Sequence, residues 1–336
     1  MYPIRNLDNL QAEVVAGMEH LRDRRFDMAG KKWINCKMAR LYEVGGWPEY
    51  AARAASCASR LQYGEWTETG DSRLQWANFC HLRLCPMCTA RRALKNAMKL
   101  SKVMTLTESR YGVQYLFLTL TVENCEGDKL GETLSLLTKS WDRLMKQRPI
   151  MEAVKGWYRA IEITHGKETG YHPHIHAILA VGADYRPRSK QYITQAEWVR
   201  RWQMALKVSY KPIVDIRKTK EGKGGLGAVL EAAKYTTKDS DYIDPKLSEE
   251  EGAKILTDYT KALHGRRLVA FGGCMKEIAA QLGADRDDGD LVHVDDDTIR
   301  DDLADMIADY GWHFGAGDYI LTDRRLNPLK VVKKSE

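Results

Sequence analysis

The sequence predicts an α+β protein built on an antiparallel sheet, and three observations carry that prediction. Short segments of alternating apolar and polar residues begin at Tyr115. Amphipathic helical segments separate them. None of the strands is the continuous Val/Ile run that marks a parallel sheet buried on both faces. With 336 residues, 44% hydrophobic and 29% charged, the composition is that of a globular protein with enough chain to bury a core. No apolar run approaches the length of a membrane span. The start, "MYPIRNLDNLQAEVVAGMEHLRDRR", reads as an amphipathic helix without the apolar centre of a signal peptide. A cytoplasmic, reducing location is expected, where cysteines point to metal or thiol chemistry before disulfides.

Four segments are expected. Residues 1–55 read as helical. Residues 56–100 hold a cysteine module, strand-poor as far as residue 92, that leads into the basic helix "TARRALKNAMKLSKVMTLTES". Residues 101–275 hold the strands, and residues 276–336 form a C-terminal extension. Within the strand-bearing segment, "YLFLTLTV" sets Leu116, Leu118, Leu120 and Val122 on one face. The helix "GETLSLLTKSWDRLMKQ" follows, then the strands "WYRAIEIT" and "HIHAILAV", the helix "QAEWVRRWQMAL" and the strand "KPIVDIRK". A glycine-rich loop, "KTKEGKGGLG", introduces a last helix, "GAVLEAAKYTTKD", whose Leu226, Val229, Leu230 and Ala233 mark a buried stripe.

The net charge of +6 is unevenly spread. Residues 285–305 hold ten aspartates against Arg286 and Arg300, a balance of −8 that leaves +14 on the remainder. A basic body favours partners that carry phosphate. The acidic stretch reads as a solvated segment. The loop carrying Arg217, Lys218, Lys220 and Lys223 reads as a solvated turn, or beside a DNA site as a phosphate clamp.

Cys57, Cys80, Cys85 and Cys88 are spaced C-x22-C-x4-C-x2-C. In "FCHLRLCPMCTARRA" two thiolates on a C-P-x-C turn can grip one ion, and four would close a structural zinc tetrahedron. His81 is an alternative to Cys57 as fourth ligand, and small buried hydrophobes are the alternative to a metal site. Cys36, Cys125 and Cys274 read as core. Arg83, Arg91, Arg92 and Lys95 beside the module suit a DNA-binding surface.

Three of nine histidines fall in "GYHPHIHAIL", at 172, 174 and 176. Alternation puts them on one side of a strand, opposite Ile175, Ala177, Leu179 and Val181. His174 and His176 then offer two nitrogen ligands to a cation. Glu162, on the preceding strand and sharing a face with Tyr158, Ala160 and Thr164, supplies the oxygen that a phosphate-polarising ion favours. His172 is assigned to a supporting or exposed position and His165 to a loop. Glu231 and Tyr235, four apart, stack on one helix face. A phenol becomes a useful nucleophile when a metal polarises the phosphate it attacks, and Lys234 and Lys238 can neutralise DNA or the phenolate.

The cysteines ending in "CPMC", then "FLTLTV", "RAIEITHGKETGYHPHIHAIL", "EAAKYTTKDSDY" and "GRRLVAFGG" occur in an order that resembles the plasmid rolling-circle replication initiators of the HUH endonuclease superfamily. The resemblance runs from about Cys57 to Gly273. It implies a central five-stranded antiparallel sheet, flanked by helices, presenting the histidine pair beside the tyrosine helix. It also implies that Tyr235 attacks single-stranded origin DNA, leaving a 5′-phosphotyrosine and a free 3′-OH for a host DNA polymerase, with a helicase and a single-strand-binding protein as further partners. Where two-tyrosine initiators carry a second tyrosine four residues away, this chain has Glu231 and Asp239. That pattern resembles the single-tyrosine branch, in which a glutamate, here Glu231, activates water to end the round. Tyr242 is a reserve nucleophile. Mg²⁺ or Mn²⁺ would serve catalysis and Zn²⁺ the cysteines. The competing readings are an HUH transposase or relaxase, and a zinc-dependent DNA-binding regulator that does not cut.

Overall fold

The computed structural model describes residues 18–21, 26–219, 239–285, 289–294 and 302–333. They fall into two compact units, one of residues 1–92 with 289–336 and one of residues 93–288.

The second unit is organised by an antiparallel sheet of five strands: β3 (Val113–Thr121), β4 (Val154–Gly166), β5 (Gly170–Gly182), β6 (Val214–Lys218) and β7 (Val269–Gly273). Their order is β6-β3-β5-β4-β7, so β5 lies at the centre. The five-stranded antiparallel α+β architecture is the one the sequence and its resemblance predict. Central position explains the composition of β5: from Pro173 to Gly182 every residue is buried, and the two faces of the strand enter different packing layers.

On one face, Phe117, Tyr158, Ala160, Ile178 and Ala180 pack with Leu100, Val103 and Met104, and with Met275, Ile278 and Ala279. The first three belong to helix α3 (Pro86–Tyr111) and the last three to α8 (Cys274–Gln281). The other face carries Leu116, Leu118, Leu120, Ile161, Ile163, Ile175, Ala177, Leu179 and Val181, all buried. Helix α4 (Leu130–Met145) covers it, packing on β5 and on helices α6 (Gln195–Leu206) and α7 (Glu249–Leu263). Trp141 of α4 meets Trp157 of β4 edge to face, with ring centroids 5.1 Å apart. Leu118 and Leu120 are fully buried. Truncating either would cost about 2–5 kcal/mol and loosen the strand that carries Thr119.

Local signals fix the covering helices. Thr194 caps α6 by accepting from the Glu197 amide, and Lys207 ends it in the left-handed conformation. Ser248 and Glu251 form a reciprocal capping box at the start of α7. The short helix α5 (Arg148–Ala153) leads directly into β4. Gly156 in β4 is required by close approach, since a Cβ there would stand 2.7 Å from the Cys274 sulfur and 2.8 Å from the Met275 nitrogen.

The first unit has two strands within residues 56–92, the segment expected to be strand-poor. It contains β1 (Arg60–Trp66), β2 (Asp71–Ala77), β8 (Met306–His313) and β9 (Asp318–Leu326) in a four-stranded antiparallel sheet of order β2-β1-β8-β9. Helices α1 (Met28–Val44) and α2 (Pro48–Ser56) pack together in this unit, and α9 (Pro328–Lys333) ends it. Tyr63 and Tyr310 stack edge to face across β1 and β8 at 5.9 Å. The acidic stretch also differs from a purely solvated segment in its described part. Asp305 accepts from the Thr67 amide and hydroxyl and from Lys330 Nζ, while Asp290 accepts from the amides of Val292 and His293. Among the described residues no helix is long and apolar enough to cross a membrane.

Candidate metal centres and the family of the chain

Two clusters of potential metal ligands occur among the described residues, one in each unit. Both contain residues singled out by the sequence.

In the five-stranded sheet, Glu162 of β4 lies directly opposite His174 of β5, and Ala160 opposite His176. The pleat puts all three side chains on the α3/α8 face, beyond the end of the apolar layer. Glu162 Oε2 is 2.9 Å from His176 Nε2 and 3.4 Å from His174 Nε2. Two ligands at right angles on an ion with bonds near 2.1 Å would be about 3.0 Å apart, so these donors fit a small divalent cation. They are only 6–9% exposed. Burial pushes the Glu162 carboxyl up, but hydrogen bonds and charge from His174 and His176 outweigh it and hold the group below the usual carboxylate range.

The far side of each imidazole is fixed. His174 Nδ1 is 3.1 Å from the His172 carbonyl oxygen and can only donate there, which leaves Nε2 as the ring nitrogen that faces Glu162. His176 Nδ1 is 3.2 Å from Thr119 Oγ1, its register partner on β3, and its ring lies 5.4 Å from that of Phe117. Nothing in the sequence set Thr119 apart from the other threonines of "FLTLTV"; only the register reveals it. His172 supports the site through its carbonyl, and its ring meets Asn124 Oδ1 at 2.6 Å. Burial, and then His174, lower the His172 pKa. His165 lies at the end of β4 rather than in a loop, packed on Tyr171 and outside the cluster.

In the other unit, Cys57, Cys80, Cys85 and Cys88 converge, with all four sulfurs within 4.8 Å of one another. The contacts are 3.5 Å for Cys57–Cys85, 3.6 Å for Cys57–Cys88 and 3.8 Å for Cys80–Cys88. These are far longer than a disulfide and match the roughly 3.8 Å edge of a tetrahedron with metal–sulfur bonds of about 2.3 Å. Pro86 opens α3, so Cys85 and Cys88 flank its first turn. Amides of Cys80 and Leu82 point at the sulfurs of Cys57 and Cys80. Burial pushes the Cys85 thiol up, whereas hydrogen bonds from Cys57, Cys85 and Cys88 pull Cys80 toward thiolate. Cys57 completes the set, and His81, exposed with φ of 58°, is not in the cluster. Cys274 is buried in the core, while Cys36 and Cys125 are only partly buried.

The basic residues around the module do not all face outward. Arg91 was expected to touch DNA; it is 4% exposed, donates to the carbonyls of Leu291 and Val292, and lies over the Phe26 and Phe79 rings. That guanidinium is an internal clamp. Arg92 is partly exposed and closes the cysteine turn by donating to the carbonyls of His81 and Leu82. Tyr242 is 2% exposed and packs near Tyr259. Tyr235, Glu231, Lys234, Lys238, Lys220 and Lys223 lie outside the described residues.

An antiparallel five-stranded sheet that holds a His-x-His pair against a glutamate, in a chain with a four-cysteine cluster, defines an α+β protein with two metal-competent centres. The family model described as "Replication protein" matches residues 71–320. A "Protein rep" of Bacillus amyloliquefaciens is 36% identical over 324 residues, covering 89% of this chain and 94% of that protein. A "Protein rep" of Streptococcus pneumoniae serotype 2 is 38% identical over 275 residues, covering 80% and 83%. A "Replication protein" of Staphylococcus aureus is 34% identical over 228 residues, covering 65% and 96%. No solved structure matches. The chain belongs to the replication-protein family, that of the Rep replication initiators, as the ordered motifs implied.

Proposed function

We propose that the protein starts plasmid rolling-circle replication by nicking one strand of its origin, with Tyr235 as nucleophile. The observation that carries the reading is the ligand set Glu162, His174 and His176 on adjacent strands of the sheet. A bound Mg²⁺ or Mn²⁺ there would supply Lewis-acid polarisation of the scissile phosphate. Two neutral imidazoles and one carboxylate suit either ion.

The chain's own groups would then act in sequence. The Tyr235 oxygen attacks phosphorus and gives up its proton, the P–O bond to the 3′ side breaks, and the departing 3′-oxygen is protonated. A 5′-phosphotyrosine and a free 3′-OH result, and the hydroxyl can prime a host polymerase. The phosphodiester's free energy is kept in the tyrosine ester, so strand joining by the reverse attack needs no nucleotide. Glu231, four residues before Tyr235 in the sequence, is the base proposed to activate water and end the round by hydrolysis. Lys234, Lys238, Lys220, Lys223 and Arg92 are the proposed phosphate contacts, without Arg91. The proposed attack is on single-stranded origin DNA, so supercoiling or a hairpin would have to present the strand. Zn²⁺ on the four cysteines would have a structural role, with no open position for chemistry. A helicase and a single-strand-binding protein would extend the opened strand.

The test is to incubate supercoiled plasmid carrying the cognate origin with the protein and Mn²⁺ or Mg²⁺. Open circles and protein covalently joined to DNA are expected, and mass spectrometry of the DNA-linked peptide should identify Tyr235. Binding without nicking would favour the regulator reading. A linked peptide containing another tyrosine would move the nucleophile.

A further inference from the structure

Cys57 is distant in sequence from its three partners, and side chains from several segments hold the loop that delivers it. Lys32 of α1 donates from Nζ to the carbonyls of Ala55 at 2.7 Å and Cys57 at 2.6 Å. Asn35 donates to the Ala54 carbonyl at 2.5 Å, and Asn78 to that of Ser56 at 2.7 Å. The Tyr319 hydroxyl of β9 donates to the Ala58 carbonyl at 2.6 Å. Ala58 itself has φ of 49°, a left-handed conformation that the Cβ of an alanine disfavours. Long-range hydrogen bonds therefore keep this loop in a shape that its own residues disfavour.

Lys32 differs from the other members of this set in carrying charge. Its side chain is fully buried, a placement lysine rarely adopts unless paired. Two carbonyls satisfy two of its three N–H groups but bring no opposite charge. Among the described residues no carboxylate pairs with it. Burial pushes the ammonium toward its neutral form, and the sulfurs of Cys36, Cys57, Cys85 and Cys80 are the groups whose charge opposes that. Four thiolates on a divalent ion carry two negative charges in excess, in a site whose ligands are themselves largely buried.

We propose that Lys32 is the positioning residue and charge partner of the four-cysteine centre. Its ammonium offsets the excess negative charge of the thiolates, and its two hydrogen bonds fix the loop that brings Cys57 to the tetrahedron. This rests on the reading of that cluster as a metal site. It assigns a function to a residue 25 positions before Cys57 and outside the cysteine motif.

The test uses the full chain with Lys32→Met and Lys32→Gln, titrated with Co²⁺ against a competing chelator. Saturated wild-type protein should show the thiolate-to-cobalt charge-transfer band of four cysteines. Lys32→Met should show the same band at saturation but bind about 10–100-fold more weakly, the usual effect of removing a supporting partner. Lys32→Gln, which retains a donor without charge, should fall between them. If Lys32→Met does not fold as purified, refolding both proteins across a range of Zn²⁺ concentrations reads the same shift in its midpoint. Affinity or midpoint within twofold of wild type for Lys32→Met would overturn the proposal. Wild-type affinity in Lys32→Gln would overturn the role of the charge. Absence of the four-thiolate band in wild type would instead remove the metal reading of the cluster, a failure visible before any variant is compared.

Discussion

Glu162 and His176 stand on adjacent strands, fourteen residues apart in the chain, with Glu162 Oε2 2.9 Å from His176 Nε2. They are diagonal neighbours in the sheet, because His174 is the residue directly opposite Glu162. One carboxylate oxygen thus reaches both imidazoles. The arrangement depends on the β4–β5 register, and a slip of one residue would move Glu162 to the α4 face.

Glu162→Gln tests this oxygen as a ligand. Glutamine keeps the shape and loses the anionic donor, so Mn²⁺ affinity should fall by about 100-fold or more, and nicking of a single-stranded origin oligonucleotide should fall with it. Calorimetric Mn²⁺ titration gives the first quantity and gel analysis the second. Unchanged Mn²⁺ affinity would remove Glu162 from the ligand set.

Thr119→Val tests the support behind His176. The change is nearly isosteric and removes the hydroxyl 3.2 Å from Nδ1. Loss of one such hydrogen bond should cost about 0.5–1.5 kcal/mol in stability. Mn²⁺ affinity should fall about 10-fold, because the ring is no longer held in one orientation. Electron paramagnetic resonance of free Mn²⁺ measures that fall directly, and an unchanged value would reduce Thr119 to a packing residue.

The contrast between the two sheets shows what local pattern conveys. The strands "YLFLTLTV", "WYRAIEIT" and "HIHAILAV" stand out as short, mostly apolar runs because both faces of their sheet are covered. Their helical connections announce themselves by period and capping. In the other unit β1 carries Gly64 in mid-strand and a bulge after Gln62, while β2 is mostly polar. The partner that completes β1 is β8, with Gln62 paired to Asp309. No local periodicity reports a pairing across most of the chain. The candidate ligands are readable as His-x-His, an acid on the preceding strand and C-P-x-C, because metal-binding chemistries need particular residue types at short spacing. The groups behind them, Thr119 and Lys32, are not, since only register or burial distinguishes them from ordinary threonines and lysines. Arg91 was misplaced for the same reason, its charge being visible in sequence and its internal carbonyl partners not.

Cys85→Ser combined with Cys88→Ser removes two of four sulfurs from the cluster. Zinc content by inductively coupled plasma mass spectrometry should fall from one equivalent to near zero. Because binding free energy at a structural zinc site is largely folding free energy, the first unit should lose its cooperative transition. A chelator applied to wild type should produce the same loss. Retention of a full equivalent of zinc by the double variant would place the ion elsewhere.

Acid should act on the first unit through Asp305. Its carboxyl accepts from Lys330 and from the Thr67 amide and hydroxyl, and these partners hold its pKa down at about 2. A carboxyl depressed on folding stabilises the native state above its unfolded value, about 3.9. That stabilisation disappears as pH falls through the folded value near 2. Asp305→Asn should therefore unfold at a lower temperature than wild type at pH 6, and the gap should close as pH is lowered from about 4 toward 2. Differential scanning calorimetry of the two proteins across that range measures the gap, with the loss of bound metal in acid common to both. A gap that stayed constant down to pH 2, or widened, would mean that Asp305 contributes through shape rather than charge.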